Sequence, residues 1–171
     1  MRIAKIEKDS LNNGPGVRAV VWCQGCSIKC PGCHNKETWN PFGGFELTES
    51  HIDDLIYYLK KDHVSGITFS GGHPLEWYNI EYVIGLIQMI RKECPDKDIW
   101  VYTGWKLDYS DIADTRDDIG VCLTMCDVVV DGPFVEELRD VTLAFRGSSN
   151  QRIIDIKKTL REQHIVLWEE Q

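Results

Sequence analysis

The stretch Gly25–Cys33, GCSIKCPGC, contains three cysteines separated by three and then by two residues. This spacing also places the three positions along one face of a helix, so inert buried cysteines are one interpretation. Pro31 disfavours a helix because it lacks a backbone N–H and clashes with the preceding turn. Gly25 and Gly32 are further helix breakers. We therefore predict a loop whose thiols hold a metal ion or a cluster. The candidate ligands are Cys26, Cys30 and Cys33.

The number of thiols distinguishes the inorganic centres that this loop could hold. Structural zinc needs four ligands, usually in two pairs about 12–20 residues apart. Cys23 as a fourth ligand would crowd the four thiolates into a very short segment. An electron-carrying ferredoxin also needs four cysteines for each cubane cluster. Three cysteines would leave one iron of a [4Fe–4S] cluster open to a substrate, as the open position of a catalytic zinc is.

The composition bounds the class of protein and its partners. A chain of 171 residues, 43% hydrophobic and 27% charged, is long enough for one domain with a buried core. Its net charge of −8 argues against a nucleic acid or an anionic membrane as partner. The N-terminal segment has no apolar core of a signal peptide, and seven cysteines form no even disulfide framework. We expect a single domain, residues 1–171, in the reducing cytoplasm.

Apolar periodicity predicts strands that alternate with helices. The predicted strands are 2–8, 17–23, 66–70, 99–103 and 128–131, and the predicted helices are 48–62, 80–93 and a polar stretch, 107–125. The last three strands recur about every thirty residues, which is typical of βαβ units in a parallel sheet. A closed eight-unit barrel needs about 250 residues, so we predict an α/β fold of the partial, open TIM-like barrel type.

Unusual loops follow four of the predicted strands, at 25–33, 71–74, 103–104 and 131–133. In barrel-like α/β folds the site lies at this carboxyl edge of the strands, so we expect the loops to converge. Gly71 and Gly72 in SGGHP would let the backbone approach a ligand closely, although an ordinary strand-to-helix turn is the alternative. Thr103 and Asp131 end neighbouring strands and could equally be caps or turn formers.

The cysteine loop and SGGHP together resemble the radical S-adenosylmethionine (SAM) superfamily. The resemblance implies a [4Fe–4S] cluster on the three cysteines, with SAM bound to the open iron, and one radical SAM domain. It implies that SAM is contacted by Asn35, Gly71, Gly72, Thr103 and Asp131. This superfamily usually has an acid after the two glycines, where this chain has His73. The sequence leaves open whether His73 contacts SAM.

Four further motifs, NGPGVR, DIWVYTGW, VVVDGPF and RGSSNQR, resemble the branch of enzymes that activate the anaerobic (class III) ribonucleotide reductase. The resemblance implies an oxidoreductase that takes an electron from an external reductant and cleaves SAM reductively. Such an enzyme then generates a glycyl radical on its partner, the reductase. The last motif forms a polar cluster that the resemblance places near the site or the partner surface; the cluster contains Arg146, Ser148, Asn150 and Gln151.

Two other functions remain open from the sequence. Activating enzymes of pyruvate formate-lyase resemble this chain around CHN, residues 33–35. A non-catalytic zinc- or cluster-binding interaction module would explain the cysteines but not SGGHP. The sequence also leaves open the formation of a homo-oligomer and the roles of the other cysteines that we considered, Cys23, Cys122 and Cys126.

Overall fold

The computed structural model describes residues 1–169, over which seven strands form one sheet. The strands are β1 (Arg2–Ser10), β2 (Val17–Cys23), β3 (Phe45–Glu46), β4 (Val64–Gly71), β5 (Asp98–Tyr102), β6 (Val128–Asp131) and β7 (Arg152–Asp155). The helices are α1 (Glu49–Leu59), α2 (Ile80–Glu93), α3 (Tyr109–Ala113), α4 (Asp118–Thr124) and α5 (Ile156–Glu162), with short 3-10 helices at Lys36–Thr38 and Glu136–Leu138.

The strand order is β3-β1-β2-β4-β5-β6-β7. The four strands β2, β4, β5 and β6 run parallel, and the helices α1 to α4 form the crossovers that parallel strands require. β1, β3 and β7 pair antiparallel with their neighbours. Within residues 1–169 the sheet ends at β3 and β7 and does not close. The α/β prediction with a central parallel sheet is therefore confirmed, while the antiparallel edges were not predicted.

Other departures from the predicted elements have local causes. The stretch 107–125 is two short helices, because Asp114 ends α3 and the carboxylate of Asp117 accepts the Ile119 and Gly120 N–H groups to begin α4. β3 contains two residues, too few for any periodicity, and β7 buries a single side chain, Ile154, so neither leaves an apolar pattern in the sequence.

The parallel strands are buried on both faces, as the unbroken apolar runs indicate. Val129 packs into the large core between the sheet and the helices, whereas its neighbours Val128 and Val130 face the opposite side. There they join a smaller cluster with Trp100, whose ring lies 5.1 Å from that of Trp168. This second cluster covers the other face of the sheet at β5 and β6.

A buried arginine fixes the first parallel strands to one another. The guanidinium of Arg18, on β2, donates to Thr68 Oγ1 on β4 at 2.9 Å and to Asp98 Oδ1 on β5 at 2.5 Å. It also lies 5.3 Å from the centre of the Trp100 ring. A buried charge is tolerated when it is paired and hydrogen-bonded in this way. Over residues 1–169 no helix is long and apolar enough to cross a membrane.

Candidate functional site

The carboxyl ends of the parallel strands meet at one edge of the sheet, and the loops that follow them surround a cavity of about 130 Å³. The predicted site residues that line this cavity are Cys26, Cys30, Cys33, Asn35, Gly71, Gly72 and Thr103. Asp131 is not among the lining residues, although its neighbour Gly132 is. The structure thus brings together all of the predicted residues except one.

The three thiols at the cavity differ from the other cysteines of the chain. Cys26, Cys30 and Cys33 are partly exposed. The remaining four are buried: Cys23, Cys94, Cys122 and Cys126. Cys23 does not line the cavity, and burial raises its pKa to about 12. The ligand set that this site offers is therefore three thiols.

The donor set tests which inorganic centre fits. Among residues 1–169, no three His, Cys, Asp or Glu side chains are grouped closely enough to hold a single metal ion. A [4Fe–4S] cube has separate irons that each take their own thiolate, so its ligands surround a cavity rather than one point. Three half-exposed thiols on the wall of a shared cavity fit such a cube better than a mononuclear zinc ion.

The backbone of the cysteine loop is fixed at its beginning. The N–H of Gly25 donates to the carbonyl of Thr38 at 2.7 Å, and that of Cys26 donates to Trp39 at 3.2 Å. Gly25 and Gly32 have φ angles of +93° and +73°, which favour glycine. The i, i+4, i+7 spacing of the cysteines is by itself compatible with a helix. The two glycine conformations and Pro31 instead give a loop.

SGGHP packs directly against this loop. The N–H of Gly72 donates to the Cys23 carbonyl and that of His73 to the Gly25 carbonyl, both at 2.8 Å. A Cβ atom on Gly72 would lie 2.3 Å from the Gly25 oxygen, and Gly71 has a φ of +96°. We predicted that Gly71 and Gly72 let the backbone approach a ligand closely. The structure adds a second reason, because each must also approach the backbone that leads into the cysteine loop.

His73 is buried beside the cavity and lines it. Its Nε2 lies 2.7 Å from Thr103 Oγ1, and its ring meets Trp105 edge-on at 4.2 Å. Burial lowers the pKa of His73 to about 4, although the nearby Glu76 carboxylate raises it. The imidazole is therefore neutral at neutral pH and its Nε2 is already engaged by the end of β5.

Comparison with known proteins agrees with this geometry. Residues 12–154 match the family model described as a 4Fe-4S single cluster domain. The chain is 43% identical over 141 residues to the anaerobic ribonucleoside-triphosphate reductase-activating protein of Escherichia coli K12, covering 81% of this chain and 88% of that protein. The proteins of the same name from Vibrio cholerae and from bacteriophage T4 are 40% and 38% identical, each over 82% of this chain and 89% and 85% of their own lengths.

The chain belongs to the family of anaerobic ribonucleoside-triphosphate reductase-activating proteins.

In this member of the activating-protein family, Asp131 has a structural role. Its side chain is fully buried, and its oxygens accept from Arg152 Nε at 3.0 Å, from Arg152 Nη2 at 2.5 Å and from the Leu107 N–H at 2.9 Å. The carboxylate thus joins β6 to β7 and to the loop after β5. A SAM contact from Asp131 stays a prediction, and the neighbouring Gly132 is the residue that reaches the cavity.

A second cavity of about 650 Å³ adjoins the first. Six residues line both cavities: Cys33, Asn35, Ser70, Tyr102, Phe134 and Gln151. From the polar cluster of RGSSNQR, Arg146 and Gln151 line the larger cavity. Asn150 instead braces the loop, since its amide donates to the Pro133 carbonyl at 2.8 Å. The two cavities form one continuous cleft that begins at the cysteines.

Sequence reasoning did not single out several residues of this cleft. Phe134 and Tyr102 line both cavities, yet each occupies a position where an aromatic side chain also fits ordinary packing. Glu76 is buried between SGGHP and the cysteine loop and accepts from the Ser27 N–H at 2.8 Å. His73 stands where the superfamily usually has an acid. The only signal for Glu76 in the sequence is that it is an acid three residues after His73.

Proposed function

We propose that this chain is a radical SAM activating enzyme, an oxidoreductase that generates a glycyl radical on the anaerobic ribonucleotide reductase. Cys26, Cys30 and Cys33 would hold a [4Fe–4S] cluster. The observation that carries the proposal is the meeting of these three partly exposed thiols with the SGGHP backbone at one cavity. The identity to proteins named as activating this reductase supports the choice of partner.

When bound, the cluster would supply an electron, drawn from an external reductant, that cleaves SAM into methionine and a 5′-deoxyadenosyl radical. That radical would remove a hydrogen atom from a glycine of the reductase. The residues of this chain bind and orient SAM. Asn35, Gly71, Gly72 and Thr103 line the cavity and are proposed to contact it, the two glycines through their backbone groups. Asp131 would act by holding the end of β6, next to Gly132, in place.

His73 does not take over the part of the acid that usually follows the glycines. Its imidazole is neutral, and Nε2 is paired with Thr103. It therefore offers no negative charge to the SAM ammonium group. We propose that the backbone carbonyls of the glycine loop carry that contact in this chain.

The shape of the cleft suits a partner that is itself a protein. The sheet is open at its edges, and we propose that it is a partial barrel of the radical SAM type formed by a single domain. The 650 Å³ cavity provides room for the remainder of SAM and for a glycine-bearing segment next to the cysteines. The net charge of −8 argues against a nucleic acid or an anionic membrane as partner, and a cytoplasmic location fits the free thiols.

Reconstitution without oxygen tests the proposal. The protein should bind about four irons per chain and lose its brown colour with dithionite. Reduced enzyme, SAM and reductase together should give 5′-deoxyadenosine and an EPR doublet from a glycyl radical. A reductase whose target glycine is replaced by alanine is the control and should give no doublet. A doublet formed only with pyruvate formate-lyase would overturn the choice of partner, and a colourless zinc protein would overturn the mechanism.

A further inference from the structure

A chain of polar side chains, buried except for Ser27, runs from the cysteine loop to the end of β5. The Glu76 carboxylate accepts the Ser27 N–H at 2.8 Å and also the Ser27 hydroxyl. Its Oε1 lies 3.6 Å from His73 Nδ1. On the other side of the ring, Nε2 lies 2.7 Å from Thr103 Oγ1, which accepts the Trp105 N–H at 3.2 Å. Three loops of the site are therefore connected through Glu76, His73 and Thr103, which are almost entirely buried, and through the exposed Ser27.

The hydrogen bonds favour one arrangement of protons. Because Thr103 Oγ1 already accepts from Trp105, its own proton can go to Nε2 of the neutral ring. The remaining ring proton then sits on Nδ1 and faces Glu76. Nδ1 has no hydrogen-bond partner among the residues described, and the Glu76 carboxylate lies 3.6 Å from it. The imidazole therefore presents a positive edge to the carboxylate without carrying a full charge.

Burial of the Glu76 carboxylate costs free energy unless hydrogen bonds replace the water that it loses. Glu76 is 6% exposed and His73 is 1% exposed. A carboxylate taken out of water loses hydration that only good hydrogen bonds replace. Glu76 receives both of its close hydrogen bonds from Ser27, the residue after Cys26. The groups that make its burial tolerable thus belong to the loop that bears the candidate ligands.

We infer that Glu76 is a positioning residue of the cluster site, which fixes Ser27 and through it the thiol of Cys26, with His73 supporting the carboxylate. The inference rests on the proposed function, because it assigns Cys26 to the cluster. Thr103 transmits the position of β5 to the same chain of contacts. The imidazole at position 73 is then explained by the acid at position 76 rather than by contact with SAM.

The rate of alkylation of each cysteine in the full, cluster-free chain tests the inference, measured by mass spectrometry of peptides. Glu76→Ala should raise the rate at Cys26 about tenfold, which corresponds to about 1.4 kcal/mol. Glu76→Gln, which removes the negative charge near Cys26 but keeps an oxygen that can accept from Ser27, should raise it much less. Cys33 in the same molecule should change much less, and the buried Cys122 should stay protected. Glu81→Ala, an exposed acid on α2, is the matched control and should change nothing. Equal rates in Glu76→Ala and in the unaltered protein would overturn the inference.

Variants that exchange the residues at positions 73 and 76 separate a positioning role of Glu76 from a contribution to stability alone. His73→Glu alone places two acids in a buried site, and Glu76→His alone replaces the carboxylate that accepts both Ser27 groups with a ring that has at most one acceptor nitrogen, so each should lower the melting temperature. The double variant restores an acid facing an imidazole and should recover much of that loss. It does not restore the carboxylate at position 76 that accepts both Ser27 groups, so Cys26 should remain reactive and the EPR signal of the reconstituted cluster should stay altered. Recovery of Cys26 protection in the double variant would overturn the positioning role of Glu76.

These readouts distinguish failure of the inference from failure of the proposed function. Alkylation of Cys26 needs neither SAM nor the reductase. If the unaltered protein binds iron but does not cleave SAM, the proposed function fails and the alkylation result stands. If SAM is cleaved normally while Glu76→Ala leaves both Cys26 reactivity and the cluster EPR signal unchanged, the proposed function stands and the inference fails.

Discussion

Two pairs of cysteines in this chain have the same spacing and opposite surroundings. Cys26 and Cys30 lie in a loop, partly exposed, on the wall of the cavity. Cys122 and Cys126 lie in and just after α4 and are fully buried. The thiol of Cys126 donates to the Cys122 carbonyl at 3.3 Å, and its contact with Cys122 together with burial raises its pKa well above the usual value. An i, i+4 spacing therefore marks neither a ligand nor a core residue by itself; the backbone around it decides.

The largest difference between the pairs should appear on removal of one thiol from each. Cys30→Ala should abolish the cluster, because each iron that the protein binds would have one thiolate and no further thiol among residues 1–169 lines the cavity. Cys126→Ala should keep the cluster and lower the free energy of unfolding by about 1–2 kcal/mol through lost packing. Iron content and urea unfolding measure the two effects. A full iron content in Cys30→Ala would show that the loop is not the ligand set.

The next largest effect is expected at Gly72, which packs against the backbone that leads into the cysteine loop. Gly72→Val places a Cβ within 2.3 Å of the Gly25 carbonyl, immediately before Cys26. We expect it to reduce both iron content and SAM binding, since the backbone that leads into the cysteines must move. Gly85→Ala on α2 is the control: no atom of the described part of the chain lies within 4 Å of its added Cβ, and it should stabilise the helix by about 0.5–1 kcal/mol. Normal iron content in Gly72→Val, with SAM binding lost, would instead indicate that Gly72 matters only through the ligand.

A smaller effect is expected from the turn between the last two cysteines. Gly32 has a φ of +73°, and an added Cβ would meet the flexible Glu136 side chain. Gly32→Ala should cost about 1–2 kcal/mol in the left-handed conformation. We expect the cluster to form but to lose iron to a chelator several times faster. An unchanged rate of iron loss would mean that the turn adapts without moving Cys30 or Cys33.

The smallest effect should come from Cys23, the thiol nearest to the loop in the chain. It is fully buried, and burial raises its pKa to about 12. Cys23→Ala should therefore keep a full iron content and the cluster EPR signal, with a loss of roughly 1 kcal/mol in stability from packing. Iron loss as complete as in Cys30→Ala would restore a four-thiolate site and remove the contrast between loop and core cysteines.

Much of this site follows from the sequence because its parts are local. Gly25, Pro31 and Gly32 exclude a helix, so the three thiols are gathered by neighbours in the chain. The apolar runs that precede the loops predict parallel strands, and the carboxyl ends of such strands share one edge. Both inferences use only residues within a few positions of each other and a general rule for how the elements pack.

Other features depended on contacts between residues far apart in the chain. Asp131 follows its strand just as Thr103 does, yet Arg152 takes its carboxylate into a buried ion pair and leaves Gly132 at the cavity. Glu76 meets Ser27 across 49 positions of sequence. No pattern within β6 or SGGHP specifies these partners.

What the sequence by itself determined is the set of groups capable of the chemistry: three thiols in a loop that cannot be helical, and strands that end in glycine-rich turns. The tertiary structure alone decided which polar side chains face the cleft and which ones brace it. The physical reason is that a buried polar group must find a partner, and the nearest partner in space is set by the packing of whole elements. The surroundings of His73 were therefore open in the sequence, and the structure sets them by placing Thr103 and Glu76 on either side of its ring.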